Sequence, residues 1–136
     1  MDTVTTTNDP LSRLVVDEAA VNRELLASVL ERKIRLDLAT GSFSFLPAIR
    51  GRMNTRHQVL IALLAQKALH LLNAKFNEGL RPQEIEFVTG IKGGTLRPIL
   101  KILVERRLAR PETDRSYTVP GYALEDAAKF LKERGD

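Results

Sequence analysis

The segment from Leu80 to Pro111 limits the fold more than any other, because it contains two helical patterns separated by a short turn signal. Pro82 suits the first position of a helix, where its missing N–H leaves no hydrogen bond unmade. Ile85 and Val88 give this first helix one apolar face. Gly90 is able to take the positive φ that ends many helices. The sequence therefore predicts a short helix that stops at Gly90.

A second helix is predicted from about residue 95 to residue 108. Thr95 is the expected N-cap, since its hydroxyl can accept a hydrogen bond from an unpaired amide of the first turn. Pro98 is expected in that first turn, where proline breaks no hydrogen bond of the helix. Apolar residues then recur at helical spacing, at Leu96, Ile99, Leu100, Leu103 and Leu108. We expect this apolar face to form part of the core.

The two helices and their surroundings resemble the helix-turn-helix of winged-helix DNA-binding proteins. The resemblance covers about residues 55–120 and rests on Glu84-Ile85, Val88, Gly90-Ile91, Thr95-Leu96, Ile99-Leu100, Leu103 and Leu108-Ala109-Arg110. It implies a short β-hairpin, the wing, around residues 112–115. The sequence departs from the family at Arg107, where a glycine with positive φ often precedes the wing.

The resemblance implies that the second helix enters the major groove of double-stranded DNA. Arg97 is the candidate for base recognition, since a guanidinium can bind guanine through two hydrogen bonds. Thr95 and the first amides of the helix are candidates for phosphate binding. The complete set is Lys92, Gly94, Thr95, Arg97, Pro98 and Lys101 on this helix, with Arg110 and Arg115 on the wing. The implied function is that of a small transcriptional regulator.

A second interpretation is a winged helix that binds other proteins and not DNA, because a fold alone does not fix function. Pro98 and Ile102 make the exposed side of the second helix less polar than in most DNA-reading helices, which favours this alternative. Glu112 and Asp114 place acids on the wing and argue against deep insertion of its tip. The salt dependence of binding to duplex DNA distinguishes the two interpretations.

The N-terminal part of the chain predicts a helix-hairpin module. Residues 1–10 are expected to be a disordered leader, and a helix is expected over residues 11–32. The apolar stripe of this helix is expected at Leu14, Val21, Leu25 and Val29, widened by Leu26 and Leu30. Over residues 33–46, apolar and polar residues alternate on either side of Gly41, which predicts a β-hairpin. Its apolar face comprises Ile34, Leu36, Leu38, Phe43 and Phe45.

Residues 47–54 are expected to form a loop that carries Arg50 and Arg52, with Arg56 shortly after it. Two interpretations stay open. The loop is either a basic arm that reaches the phosphate backbone or minor groove, or a connector with solvated arginines. The three arginines are therefore candidate DNA-binding residues.

Two further helices flank the central motif. Thr55 is the expected N-cap of the first, which runs to about Asn73 with Gln58 completing a capping box. This helix is apolar on nearly all sides and is therefore expected to be buried. The last helix, from Tyr122 to Arg134, has its apolar face at Leu124, Ala127, Ala128 and Leu131, with Phe130 beside it.

The predicted fold class is therefore mainly α with small β-hairpins, in which a winged helix-turn-helix follows an N-terminal helix and β-hairpin. The predicted organisation is a leader (1–10), a helix-hairpin module (11–50), a winged helix-turn-helix (51–120) and a C-terminal helix (121–136).

Composition limits the classes of function. The 136 residues include no cysteine, which excludes disulfides and thiolate metal sites and predicts a reducing, cytoplasmic location. The net charge is only +4, yet residues 38–77 contain five lysines and arginines and no acid. Such a distribution is typical of a nucleic-acid-binding face, and solvated helix faces also produce it. No apolar run is long enough to span a bilayer, so no membrane association is expected.

No catalytic or metal-binding constellation is evident in the sequence. The only histidines, His57 and His70, have no carboxylate three or four residues away, and no glycine-rich phosphate-binding motif is present. We therefore expect no enzyme activity, metal or cofactor, and the sequence identifies no small-molecule effector.

A homodimer is expected, because the apolar residues outside the central motif exceed what one winged helix needs and two half-sites increase discrimination. The expected interface is the N-terminal module, the last helix, or both. The alternative use of the last helix is to fold back on its own chain.

Overall fold

The computed structural model describes residues 9–14 and 18–133 and shows a mainly helical fold with two small antiparallel β-hairpins, which confirms that the fold class is mainly α with small β-hairpins. The elements in chain order are a 3₁₀ turn (Pro10–Leu14), α1 (Glu18–Leu30), β1 (Ile34–Asp37), β2 (Ser42–Phe45), α2 (Pro47–Arg50), α3 (Thr55–Leu72), α4 (Pro82–Thr89), α5 (Gly93–Glu105), β3 (Arg110–Pro111), β4 (Tyr117–Thr118), a second 3₁₀ turn (Gly121–Ala123) and α6 (Leu124–Lys132). Most of the predicted leader, residues 1–8, lies outside the described residues, as do the side chains of Val21 and Arg50.

Helix α3 forms the centre of the core, as its apolar sequence predicts. Every residue from Val59 to Leu64 is at most 1% exposed. The helix is contacted by α1 and the N-terminal hairpin (β1–β2), and also by α4, α5 and β4. A helix that is apolar on nearly all sides is stable in water only when neighbours cover it in this way.

The N-terminus of α3 differs from the prediction by one residue. Asn54 is the N-cap, and its side chain accepts a hydrogen bond from the backbone N–H of His57 at 2.9 Å. Thr55 is the first helical residue, and the Gln58 side chain donates to the carbonyl of Met53 at 2.8 Å. Thr55 was the wrong choice, because asparagine caps a helix at least as well as threonine and stands one position earlier.

Helices α4 and α5 are joined by the three residues that follow Thr89. Gly90 ends α4 with φ 75°, as the sequence predicts. Helix α5 begins at Gly93, because the carbonyl of the N-cap Lys92 accepts hydrogen bonds from the N–H groups of Thr95 and Leu96. Thr95 is therefore the third residue of the helix, and its prediction as the N-cap was wrong.

The early start of α5 also moves Pro98 out of the first turn. Pro98 is the sixth residue of the helix and has no N–H to donate to the carbonyl of Gly94. Gly94 is exposed, so water can reach that carbonyl. The sequence placed the start of α5 too late because Gly93 and Gly94 have low helix propensity. In the structure, burial of Leu96 against the core stabilises the helical conformation of these two glycines.

Helix α5 ends in a left-handed residue, Arg107, whose φ is 60°. The N–H of Leu108 bonds to the carbonyl of Leu103 at 2.8 Å, and the N–H of Arg107 bonds to the carbonyl of Val104 at 3.0 Å. These two bonds define a Schellman motif. An arginine therefore adopts the backbone conformation for which a glycine is expected.

A short hairpin follows α5, as predicted. Its strands β3 and β4 pair Arg110 with Thr118 and Pro111 with Tyr117. Leu80 adds a third strand position, because its N–H and carbonyl both bond to the backbone of Tyr117, at 3.1 and 2.8 Å. The hairpin is thereby attached beside the start of α4.

Helix α1 is shorter than predicted and buries a different face. Leu14 lies on the first 3₁₀ turn and is 76% exposed, so it belongs to no core stripe. Leu26 and Leu30 are buried, while Leu25 and Val29 are only partly buried beside them. Because the apolar residues come in adjacent pairs, either of two faces of α1 could be buried. Contact with α3 and α6 selects the face that contains Leu26 and Leu30.

The N-terminal hairpin has the predicted alternation. Its register pairs Ile34 with Phe45 and Leu36 with Phe43, and both phenylalanines are buried. Leu38 lies beyond the end of β1 and is exposed, so its assignment to the apolar face was wrong.

The turns on either side of β2 are tightly constrained. Gly41 takes φ 69°, and a Cβ at this position would lie 2.5 Å from the ring of Phe76. Both the backbone and the available space therefore require glycine.

Residues 47–50, predicted as part of a loop, form the single helical turn α2, for which Pro47 supplies a suitable first residue.

Helix α6 folds back on its own chain and contacts α1. Leu124, Ala127 and Phe130 are buried, so Phe130 lies within the apolar face and not beside it. Among the helices of the described ranges, none combines the length and the apolar character that a membrane crossing requires.

Candidate nucleic-acid interface

Helix α5 separates an apolar face from an exposed face. Leu96, Ile99, Leu100 and Leu103 are buried, whereas Lys92, Gly94, Thr95, Arg97, Pro98 and Lys101 are all exposed. Helical periodicity places Gly94, Arg97, Pro98 and Lys101 on the side that faces away from the core. Thr95 lies at the margin of that side, and Lys92 is exposed because it is the N-cap and precedes the helix. We call these six exposed residues the α5 face.

The α5 face carries three cations that are not neutralised locally. Within the described part of the chain, Lys92, Arg97 and Lys101 form no salt bridge and no side-chain hydrogen bond. Lys92 and Lys101 are about 14 Å apart along the axis, at 1.5 Å per residue. Arg97 and Lys101 therefore present positive charge on the exposed side of α5, and Lys92 adds a cation at its N-terminal end.

One acid, Glu86, lies close to the N-terminus of α5 and was not predicted from the sequence. A Cβ at Gly93 would lie 3.2 Å from Glu86 Oε2 and 4.0 Å from Arg97 Nη2. The carboxylate of Glu86 is therefore beside the first residue of α5, where its negative charge interacts favourably with the positive end of the helix dipole. An anion bound at this N-terminus would meet that negative charge, which weakens the predicted role of Thr95 and the first amides.

The C-terminal hairpin neutralises one of its two candidate cations. Arg110 Nε donates to Glu112 Oε2 at 2.9 Å, and Thr118 Oγ1 donates to the same oxygen at 2.8 Å. The hydrogen bond from Arg110, followed by that from Thr118, holds the pKa of Glu112 below its usual value. Arg110 is therefore an exposed cation whose charge is largely offset.

The tip of the same hairpin brings together two other arginines. Arg115 is exposed and takes φ 72° in the turn. Arg81, at the start of α4, donates from Nε to the carbonyl of Asp114 at 3.1 Å. Arg81 was not among the predicted site residues, because 33 residues separate it from Asp114 and only the folded structure brings them together.

The third group of candidates lies elsewhere. Arg52 precedes α3, and Arg56 is the second residue of that helix. His57, next to Arg56, contacts Phe130 of α6 with ring centroids 5.3 Å apart. Arg106 contacts the same ring, 4.6 Å from its centroid. Arg106 follows Lys92 by fourteen residues, which corresponds to about 21 Å along α5. Arg56 therefore lies near the C-terminal end of α5, far from Lys92.

Two basic residues that raise the charge of the central segments are occupied in internal contacts. Lys67 is almost fully buried and pairs with Glu78 at 2.8 Å. Arg106, besides its contact with Phe130, forms two hydrogen bonds with the carboxylate of Glu133, at 3.1 and 3.4 Å. Part of the positive charge seen in the sequence is thus structural.

The most exposed aromatic side chain of the described residues is Phe87 on α4, with 88% of its surface accessible. It lies at the edge of a groove between α4 and the N-terminal hairpin, which is also lined by Phe43 and Val88. An exposed phenylalanine beside an apolar groove is a typical feature of protein-binding surfaces.

In residues 9–14 and 18–133, no three histidine, cysteine, aspartate or glutamate side chains cluster closely enough to hold a metal ion. Comparison with family models, with curated proteins and with solved structures gave no significant match.

Proposed function

We propose that the chain is a winged helix-turn-helix protein that binds double-stranded DNA through the α5 face. The observation that carries the proposal is the pair of cations without a salt bridge to the described residues, Arg97 and Lys101, on the exposed side of a helix whose other side is core, with Lys92 at its N-terminal end. An α-helix with its side chains is about 10–12 Å wide, and the major groove is about 12 Å wide. A helix of this kind can therefore place its side chains against base edges.

The individual residues have different roles in this proposal. Arg97 binds a base, most favourably guanine, through two hydrogen bonds. Lys92 and Lys101 neutralise phosphates on either side of it, and Arg115 with Arg81 adds backbone contacts from the hairpin tip. The offset charge of Arg110 makes it a minor contributor. We assign no catalytic step to the chain.

We further propose that the protein acts in the cytoplasm as a transcriptional regulator and as a homodimer. Two copies bind two half-sites of a palindromic sequence, which raises discrimination beyond that of one helix. Several residues expected at the dimer interface are used within one chain, since Phe43, Phe45 and Leu124 are buried. The interface must therefore involve other residues of the N-terminal module.

The test is a titration of duplex DNA by fluorescence anisotropy across a salt series. Neutralisation of phosphates predicts a linear loss of log affinity with log salt concentration. Arg97→Ala is expected to cost about 1–3 kcal/mol at the preferred sequence and to relax the preference at one base pair. Lys101→Ala is expected to weaken all sequences alike and to flatten the salt slope by about one unit.

Lys129→Ala is the matched control, because Lys129 is an exposed cation on α6 and is not part of the α5 face. It is expected to bind like the parent. If the parent shows no salt-dependent binding to any duplex at low salt, or if Arg97→Ala and Lys101→Ala bind every duplex as tightly as the parent, the proposal is wrong.

The second candidate function is protein binding through the same fold, and the exposure of Phe87 is the observation that favours it. The position of Glu86 beside the start of α5 favours it as well. This alternative predicts no dependence of duplex binding on Lys101. It also predicts that Phe87→Ala abolishes capture of a protein partner while leaving the melting temperature nearly unchanged.

A further inference from the structure

An apolar groove opens on the side of the molecule formed by α1, β1 and the C-terminal end of α3. It encloses about 360 Å³. Its apolar lining includes Leu30, Ile34, Leu36, Leu71 and Leu72. Leu72 is 51% exposed at the end of α3 and adjoins these other apolar side chains, so the groove is an apolar patch and not a single exposed leucine. Surface of this kind is stabilised when a partner covers it.

One face of α1 borders the groove with a particular order of residues. Arg23, Ala27 and Glu31 all line it and are spaced by four, so they lie along the same side of the helix. The N–H of Glu31 still bonds to the carbonyl of Ala27 at 2.9 Å, which continues the helical geometry to Glu31. A cation, a small residue and an anion thus follow one another at one-turn intervals.

The two charged residues are available for an external contact. Arg23 is held in place because its Nη2 donates to the carbonyl of Leu71 at 2.7 Å, and its other N–H groups, which bond to no described residue, can bind a carboxylate. Glu31 is exposed and forms no ion pair with any described residue.

We propose that this groove binds a second copy of the chain, with the two α1 helices antiparallel and a two-fold axis at Ala27. Arg23 precedes Ala27 by four residues and Glu31 follows it by four. A two-fold axis at Ala27 therefore places Arg23 of each copy opposite Glu31 of the other. This inference gives the proposed homodimer its interface and does not depend on DNA binding.

The order of the residues favours a second copy over an unrelated partner. An isologous contact requires one patch to be complementary to itself, with each residue paired across the axis by its counterpart. The sequence cation, small residue, anion satisfies that condition without a further molecule. Ala27 at the centre lets the two helices approach closely, and the same contact brings the two apolar grooves together.

The test is sedimentation equilibrium of the full chain without DNA, over a wide range of concentration. The parent is expected to approach twice the 15.2 kDa mass of one chain as concentration rises. Each of the single variants Arg23→Glu and Glu31→Arg replaces both ion pairs of the dimer by like-charge contacts, because the two-fold axis repeats the change in the second copy. Each is therefore expected to raise the dimer Kd at least about tenfold. The double variant, Arg23→Glu with Glu31→Arg, restores both pairs and is expected to return the Kd to within about threefold of the parent.

Glu125→Arg is the matched control, since Glu125 is an exposed acid on α6 that does not line the groove. It is expected to leave the Kd unchanged. Far-ultraviolet circular dichroism of each variant confirms that the fold is kept, which matters for Arg23→Glu because it removes the bond to Leu71.

A parent mass of 15.2 kDa at every concentration overturns this interface, whether the groove then stays open or is covered by the N-terminal residues of the same chain. A double variant that dimerises no better than the two single variants overturns it too. A monomer that binds duplex DNA refutes the interface and leaves the proposed DNA binding intact. If the double variant restores the dimer but the protein binds no duplex DNA, the interface is supported and the proposed DNA binding is refuted.

Discussion

Arg107 offers a direct measurement of backbone strain in this fold. Its φ of 60° lies in the left-handed region, which costs a residue with a Cβ about 1–2 kcal/mol. Glycine avoids that cost but loses about 0.5–1 kcal/mol through the greater freedom of its unfolded chain. Arg107→Gly is therefore expected to be more stable than Arg107→Ala by about 0.5–1 kcal/mol, or about 2–4 °C in Tm for a chain of this length.

The comparison with alanine removes the contribution of the side chain. Arg107 is exposed and makes no side-chain hydrogen bond with the described residues, so Arg107→Ala is expected to differ little from the parent. Urea titration of both variants supplies the free energies of unfolding.

Glu105, the last residue of α5, provides a control of opposite sign. There the backbone is helical, so Glu105→Gly is expected to be less stable than Glu105→Ala by about 0.5–1 kcal/mol. If Arg107→Gly proves no more stable than Arg107→Ala while the Glu105 pair behaves as expected, the left-handed conformation of Arg107 carries no strain.

Two further predictions concern the core. Leu100→Ala is expected to destabilise the protein by about 2–5 kcal/mol through lost burial and a cavity, and a change below about 0.5 kcal/mol in a urea titration would contradict the helix phase. His57 is buried, and burial lowers its pKa below 6.5, so the unfolded chain binds the proton more readily than the folded protein. The free energy of unfolding should therefore be highest above pH 6.5 and should decrease as the pH falls below 6.5. Urea titrations between pH 8 and pH 5 should show this decrease in the parent and not in His57→Leu. The lowered pKa values of Glu112 and Asp114 place their titration below that range, and an equal loss in His57→Leu would count against the assignment to His57.

The elements that the sequence predicted well are those in which local pattern and burial agree. Gly90 and Gly41 adopt the positive φ that their turns require, and α3 is buried as its composition demands. A positive φ in a tight turn is compatible with few residue types other than glycine, and an apolar helix is stable only when it is buried, so each pattern allowed one structural outcome. The alternation around Gly41 likewise left only one face of the hairpin for Phe43 and Phe45.

The errors occur where two local solutions have similar free energies. Asn54 and Thr55 are both good caps, and the choice between them depends on where α3 meets the core. Residues 25, 26, 29 and 30 are all apolar, so periodicity alone does not say which pair faces inward. Packing against α3 and α6 decides, and those contacts are distant in the chain.

The candidate site was harder to predict than the fold, because charge on a surface depends on partners that the sequence does not reveal. Arg106 and Glu133 are 27 residues apart, and Arg81 and Asp114 are 33 apart. Pairing removes Arg106 from the exposed charge, while the fold brings Arg81 next to Arg115. The cations Arg97 and Lys101 of α5 could be predicted, because helical periodicity alone exposes them.

The burial of α3 determines how the molecule can come apart. Its side chains are shared by α1, the N-terminal hairpin, α4, α5 and β4, so no part of the fold has a core of its own. Loss of the N-terminal hairpin would expose the same helix that supports α5. The described chain is therefore one cooperative unit, in which a perturbation far from α5 changes the fraction of molecules that present an ordered α5 at all.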